Sequence, residues 1–155
     1  MRASRLEVIE RIILTLWVGA LWAIGYLAVP LLFSGLDDRR LAGELAGEMF
    51  KAVGYVGLVS GIILLVTAVI MAPRRWLRQW RNGVLIGMLA LIAIGLFGLQ
   101  PYMQELKAQG LVPGSIQAAQ FGKLHGVSSG LYLINSLMGL VLVIFGTRPQ
   151  PSTWR

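Results

Sequence analysis

Four long runs without a charged residue constrain this chain more than any other feature. They cover residues 12–33, 52–72, 83–103 and 124–147, roughly 21 to 24 residues each. A helix needs about 20 residues to cross a hydrocarbon core of about 30 Å. Because no alternating pattern of a barrel strand is present, and only helices or closed barrels satisfy the backbone in lipid, each run predicts a transmembrane helix. We therefore expect an all-α integral membrane four-helix bundle, forming one membrane domain over residues 1–155.

The composition excludes most other classes of protein. Only 14% of the residues are charged and 56% are hydrophobic, whereas a soluble chain is about one quarter charged. With no cysteine, disulfides, thiol nucleophiles and thiolate metal sites are excluded. No phosphate-binding loop, zinc-protease motif or nucleophile triad occurs, so the chain is more typical of a non-enzymatic protein.

Lysine and arginine fall unequally on the two sides of the predicted spans. Five lie on one side, together with five acidic residues, and nine lie on the side of both termini, at positions 2, 5, 11, 74, 75, 78, 81, 148 and 155. The positive-inside rule then places both termini in the cytoplasm, and the protein in the cell inner membrane. The net charge of +7 indicates contact with anionic lipid at that face, not nucleic acid. Trp76 and Trp80, four residues apart, are expected on one helical face as interfacial anchors.

Two segments on the other side predict helical extensions of the spans, at residues 38–51 and 115–123. Asp37 or Asp38 is a candidate N-cap of the first, and Ser115 starts the second. Charged residues cluster there, which is typical of a solvated helix face: Glu44, Glu48, Lys51 and Lys123.

Glycines four residues apart predict close helix contacts, since helices in lipid associate through backbone approach. Such pairs occur at Gly57 and Gly61, at Gly83 and Gly87, and at Gly126 and Gly130. Self-association, as a homo-oligomer or with another membrane protein, is the second interpretation. Pro30 and Pro101 are each expected to bend a span near its outer end.

The fourth span carries one polar stripe at helical spacing, which we expect to face protein. It consists of His125, Ser128, Ser129, Tyr132, Asn135, Ser136 and Gly139. One interpretation is hydrogen bonding between helices. The other is a binding site for a cofactor, with His125, Ser128, Tyr132 and Asn135 as candidate residues and His125 as the candidate ligand of a metal such as copper or of haem. Haem would need a second ligand such as Met49 or Met103, an open axial position, or a histidine of a partner chain.

Three segments carry a likeness to known proteins: Leu16–Phe33, Ala42–Phe50 and Phe121–His125. Nearly the whole chain resembles an uncharacterised bacterial family of four-span membrane proteins grouped with the eukaryotic transmembrane protein 205, which is associated with platinum-drug resistance and trafficking. It is also distantly similar to the copper-resistance protein D group and to a haem-containing protoporphyrinogen oxidase. The resemblance implies a small inner-membrane protein of unknown biochemical role, and it is a second reason to consider haem or metal at His125, although this chain has no second histidine.

Three functions remain open from the sequence. The leading one is a non-enzymatic bundle that packs with or binds a partner, because packing signals are abundant and catalytic motifs are absent. The second is a haem- or metal-dependent protein that uses His125. The third is transport of a small solute along the polar stripe in an oligomer.

Overall fold

The structure is a computed structural model that describes residues 2–71, 73 and 76–146. Four helices in this part of the chain are long and apolar enough to cross a membrane. The protein is thus an all-helical bundle of the multi-pass membrane type, and the predicted fold class is confirmed. Several residues used in the sequence analysis lie outside the described residues: Ala72, Arg74, Arg75, Thr147, Arg148 and Arg155.

Two of the four helices are regular throughout and two contain a π-helical segment. Helix α1 runs through Arg2–Ala23, a π-helical Ile24–Ala28 and Val29–Gly35. Helix α2 is Arg39–Met71. Helix α3 runs through Trp80–Ala93, a π-helical Ile94–Leu99 and Gln100–Ala108. Helix α4 is Ile116–Phe145.

The helices form a ring in which each packs against two neighbours, in the order α1, α2, α3, α4. Consecutive helices run in opposite directions, so the bundle has two ends. We call the end with the chain start and residues 76–79 the proximal end. The end with residues 36–38 and 109–115 is the distal end.

Short polar residues fix the helix starts at the distal end. Of the two aspartates before α2, Asp38 is the cap: its Oδ1 accepts hydrogen bonds from the Arg40 and Leu41 amides at 2.8 and 3.2 Å. Ser115 Oγ accepts from the Ala118 amide at 3.1 Å and starts α4. These bonds satisfy amides that have no partner within the first helical turn.

The structure corrects the expectation for the two tryptophans near the proximal end. Trp76 lies in a short 3₁₀ turn, Trp76–Arg78, and Trp80 is the first residue of α3. Gln79 between them has an extended backbone. The two rings therefore do not share a helical face, because the helix begins only after the first of them.

The proximal half of the bundle is tightly packed. Its largest fully buried apolar side chains are Trp17, Leu21, Leu64, Leu85, Met88 and Leu142. Glycines permit this packing: a Cβ at Gly57 would stand 2.7 Å from Trp17 Nε1, and one at Gly139 would stand 2.9 Å from Val18 Cγ2. Helices held together in lipid by such close approach lose contact when a side chain is inserted.

The paired glycines do not all make helix contacts. Gly57, Gly61 and Gly87 approach side chains of neighbouring helices, whereas nothing lies within 4 Å of a Cβ at Gly83, Gly126 or Gly130. Spacing alone therefore did not identify which pairs pack, because the same spacing occurs on helix faces that point away from the bundle.

Each membrane proline follows a π-helical segment. Pro30 comes after Ile24–Ala28, and Pro101 comes after Ile94–Leu99. A proline ring clashes with the carbonyl four residues earlier, which here belongs to Tyr26 or Phe97. The wider π turn accommodates the ring, so α1 and α3 continue as helices through their prolines. The bend expected near each proline stays a prediction.

We expect Gly57→Ala to destabilise the bundle by about 1 to 3 kcal/mol, because its Cβ would overlap Trp17 and Ile92 in a packed interior. Thermal unfolding in detergent measures the effect. Gly130→Ala is the matched control, since its Cβ enters open space. Equal midpoints for the two variants would contradict the packing described here.

Candidate functional site

The distal half of the bundle encloses a cavity of about 550 Å³, which all four helices line. Ligand pockets for small molecules commonly have about 300–1,000 Å³. Apolar walls come from Leu21, Val29, Phe33, Ala46, Phe50, Val53, Leu91, Ile92, Leu96, Met103, Phe121, Leu131 and Leu133. Polar lining residues are Tyr26, Gln100, Lys107, His125, Ser128, Ser129, Tyr132 and Asn135. An apolar space with a few polar groups is the usual composition of a ligand pocket.

Glycines, which have no side chain, and a wider separation of the helices create the cavity. Five glycines line it: Gly25, Gly43, Gly47, Gly54 and Gly95. In the distal half Val29–Gly35 packs on α2 and Gln100–Ala108 packs on α4, while α1 and α4 stand further apart there. The π-helical segments lie at the level where this separation begins. The cavity thus lies between two helical hairpins that are held together in the proximal half.

Hydrogen bonds from the polar stripe join α4 to α1 at the proximal end of the cavity. Tyr132 Oη donates to the Leu21 carbonyl at 2.6 Å, and Trp22 Nε1 donates to the Ser136 carbonyl at 3.3 Å. Tyr26 Oη and Ser136 Oγ share a bond of 2.6 Å. These contacts support the interpretation of the stripe as hydrogen bonding between helices, at its proximal end.

The distal part of the stripe lines the cavity instead of packing against protein. Asn135, Ser136 and Gly139 are buried, whereas His125 and Ser129 are exposed. Ser129 Oγ donates to the His125 carbonyl at 2.9 Å. The stripe therefore contacts a neighbouring helix at its inner positions and lines the cavity at its outer ones, because the hairpins separate there.

Asn135 marks the floor of the cavity. Its side chain is 3% exposed, and its Oδ1 has no hydrogen-bond partner among the described residues. A buried polar atom without a partner costs about 1 to 3 kcal/mol.

A cation, an aromatic ring and an imidazole lie side by side at the distal mouth. Lys107 Nζ is 5.6 Å from the centre of the Phe121 ring, within the range of a cation–π contact. The His125 ring stacks on Phe121 at 5.9 Å between centroids, with 13° between the planes. Lys107 Nζ also donates to the Gly43 carbonyl at 3.3 Å, so an ammonium group is held beside the cavity.

The donor set at His125 does not fit a resident metal ion. No group of three or more His, Cys, Asp or Glu side chains that could hold a metal occurs in the part of the chain that the structure describes, whereas zinc and copper sites recruit several such ligands. Met103 lines the cavity with His125, but Met49 does not.

The predicted charge cluster at the distal end consists of local pairs. Glu44 pairs with Arg40 at 3.1 Å, and Glu48 pairs with Lys51 at 2.7 Å, each within one turn of α2. The structure shows no contact of Lys123 or His125 with either glutamate among the described residues. These exposed pairs stabilise α2 only weakly and do not form a site.

A buried ion pair at the proximal end was missed by the sequence analysis. Glu10 Oε2 and Arg81 Nη2 are 2.9 Å apart, with side chains that are 5% and 8% exposed, and Thr67 Oγ1 donates to Glu10 Oε1 at 2.8 Å. Arg81 therefore faces the bundle interior, not lipid phosphate as expected. Helical spacing shows only that each residue shares a face with a leucine, since Glu10 precedes Leu14 by four residues and Arg81 precedes Leu85 by four. The pairing itself depends on how α1 and α3 pack.

We expect Glu10→Leu to destabilise the bundle by about 3 kcal/mol, because it leaves the Arg81 charge buried without a counter-ion. The double variant Glu10→Leu/Arg81→Leu should recover most of the loss. Unfolding in detergent measures both, and Glu48→Leu, which breaks an exposed pair, is the control. A double variant no more stable than the single one would show that the pair is not coupled.

Comparison with known proteins identifies a family but no activity. A family model described as a domain of unknown function, DUF4149, matches residues 12–111. This segment covers α1 from Ile12, all of α2 and α3, and the beginning of the connection to α4. No curated protein and no solved structure matches the chain significantly. Since the model matches nearly two thirds of the residues, the chain belongs to the DUF4149 family.

Proposed function

We propose that the protein is a non-enzymatic binding protein of the inner membrane, which holds a small amphipathic molecule in its distal cavity. The observation that carries this proposal is the cavity of about 550 Å³ between four membrane helices, with apolar walls and a few polar side chains, Asn135 among them. Apolar walls favour an apolar body, and the polar groups at the two ends favour a ligand with polar ends.

The packed proximal half supports binding over permeation. Below the cavity, the side chains of Trp17, Leu64 and Leu142 are at most 1% exposed. The buried Glu10–Arg81 pair lies further toward the proximal end. A solute entering from the distal end therefore meets a closed interior, which suits a pocket better than a path across the membrane.

The unequal number of basic residues on the two sides of the membrane supports an orientation with the proximal end in the cytoplasm. Nine lysines and arginines lie on the side of both termini and five on the other. We infer from the positive-inside rule that the proximal end is cytoplasmic, next to anionic lipid, and that the cavity opens in the outer leaflet.

We expect a green fluorescent protein fused after Arg155 to fluoresce in cells, because that protein matures in the cytoplasm. Alkaline phosphatase fused at the same position should be inactive, and active when inserted after Gly110 in the distal connection. The opposite pattern of activities would reverse the orientation.

We expect Gly95→Leu to weaken binding of a lipophilic fluorescent probe such as pyrene by about tenfold, since its side chain enters the cavity. Nothing lies within 4 Å of a Cβ at Gly95, which lines the cavity. Gly98→Leu is the matched control, because Gly98 lies in the same π-helical segment, is exposed and does not line the cavity. Fluorescence titration of the purified protein in detergent measures binding, and the thermal midpoint verifies folding. Equal binding by both variants would contradict the proposed function.

A further inference from the structure

We propose that the cavity binds a lipid with an anionic headgroup, with the headgroup at Lys107 and the apolar chain between the two hairpins. This inference rests on the proposed function and names its ligand class. The observations that carry it are an ammonium group without a carboxylate partner, an opening toward the bilayer and a long apolar interior.

Lys107 lacks a counter-ion at the cavity mouth. Its Nζ contacts the Gly43 carbonyl and the Phe121 ring, and within the described residues no carboxylate pairs with it. Glu44 and Glu48, the acids on the facing part of α2, are paired with Arg40 and Lys51. An ammonium has three donors, so Lys107 retains capacity for an anionic oxygen.

The gap between α1 and α4 gives the ligand a route from the bilayer. Hydrogen bonds join the two helices at the level of Leu21 and Tyr26. Further toward the distal end Val29 and Phe33 line one side of the cavity and His125 and Ser128 the other, with no hydrogen bond between the helices in the described structure. Since lipid surrounds a membrane bundle, this side opening favours a molecule already dissolved in the bilayer.

The dimensions of the cavity suit a single long chain. Phe121, beside the Lys107 ammonium, and Asn135, at the floor, are separated along α4 by a rise of about 21 Å at 1.5 Å per residue. The walls between these levels are mainly apolar. A free inorganic anion would leave this apolar volume unfilled, and a neutral lipid would leave Lys107 without a counter-ion.

Binding of cis-parinaric acid and of its methyl ester to purified protein in neutral detergent tests the proposal, because the two probes share a chain and differ in headgroup charge. We expect the acid to bind about tenfold more tightly than the ester, the range of a charge-assisted hydrogen bond. Lys107→Gln should abolish this preference by weakening binding of the acid, and Lys107→Arg should keep most of it. Lys123→Gln, which removes a charge at the same end from a residue that does not line the cavity, should preserve it.

Competition identifies the source of the anion. We expect octadecyl phosphate to displace the acid at micromolar concentration, and inorganic phosphate not to displace it at millimolar concentration. Displacement by inorganic phosphate alone would overturn the lipid assignment. Equal binding of acid and ester to the wild type, or an unchanged preference in Lys107→Gln, would overturn the anionic headgroup. Neither outcome removes the proposed function, which instead fails if neither probe binds saturably or if Gly95→Leu binds both as the wild type does.

Discussion

Close contact at a few glycines in the proximal half is the interaction on which the rest of this structure depends. In lipid, helices gain little from burying leucine, so backbone approach and side-chain contact must hold them together. Gly57 and Gly139 let Trp17 and Val18 pack against neighbouring backbones. Because this half keeps all four helices in place, the distal half can remain open without the bundle coming apart.

The two halves therefore have different properties within one set of helices. Proximally, a packed core and the buried Glu10–Arg81 pair connect α1 to α3. Distally, five glycines leave side-chain volume free along the cavity, and α1 and α3 each contain a π-helical turn. Such turns occur often at functional sites in helices. An open interior lined mainly by apolar side chains, with a few polar groups among them, is typical of a ligand pocket.

Local signals predicted individual elements well, whereas residue spacing predicted contacts poorly. The four apolar runs gave the helical bundle, and Asp38 and Ser115 cap helices where short polar residues precede them. Gly57 and Gly61 pack against neighbouring helices, whereas Gly126 and Gly130 have the same spacing and face open space. Arg81 was counted among the charges at the membrane face, because no single helix shows that it faces Glu10. Two further expectations stay predictions: that the protein associates with itself or another membrane protein, and that its proximal face contacts anionic lipid.

The sequence by itself determined that this chain crosses a membrane as a four-helix bundle, because the length and polarity of a span are properties of consecutive residues. Only the tertiary structure decided where the cavity lies in the bundle and which polar groups line it. Lys107 and His125 belong to different helices that meet through Phe121, and Asn135 lies at the floor because Leu21 and Tyr132 join α1 to α4. Such positions depend on how far apart the helices stand, which no single segment encodes.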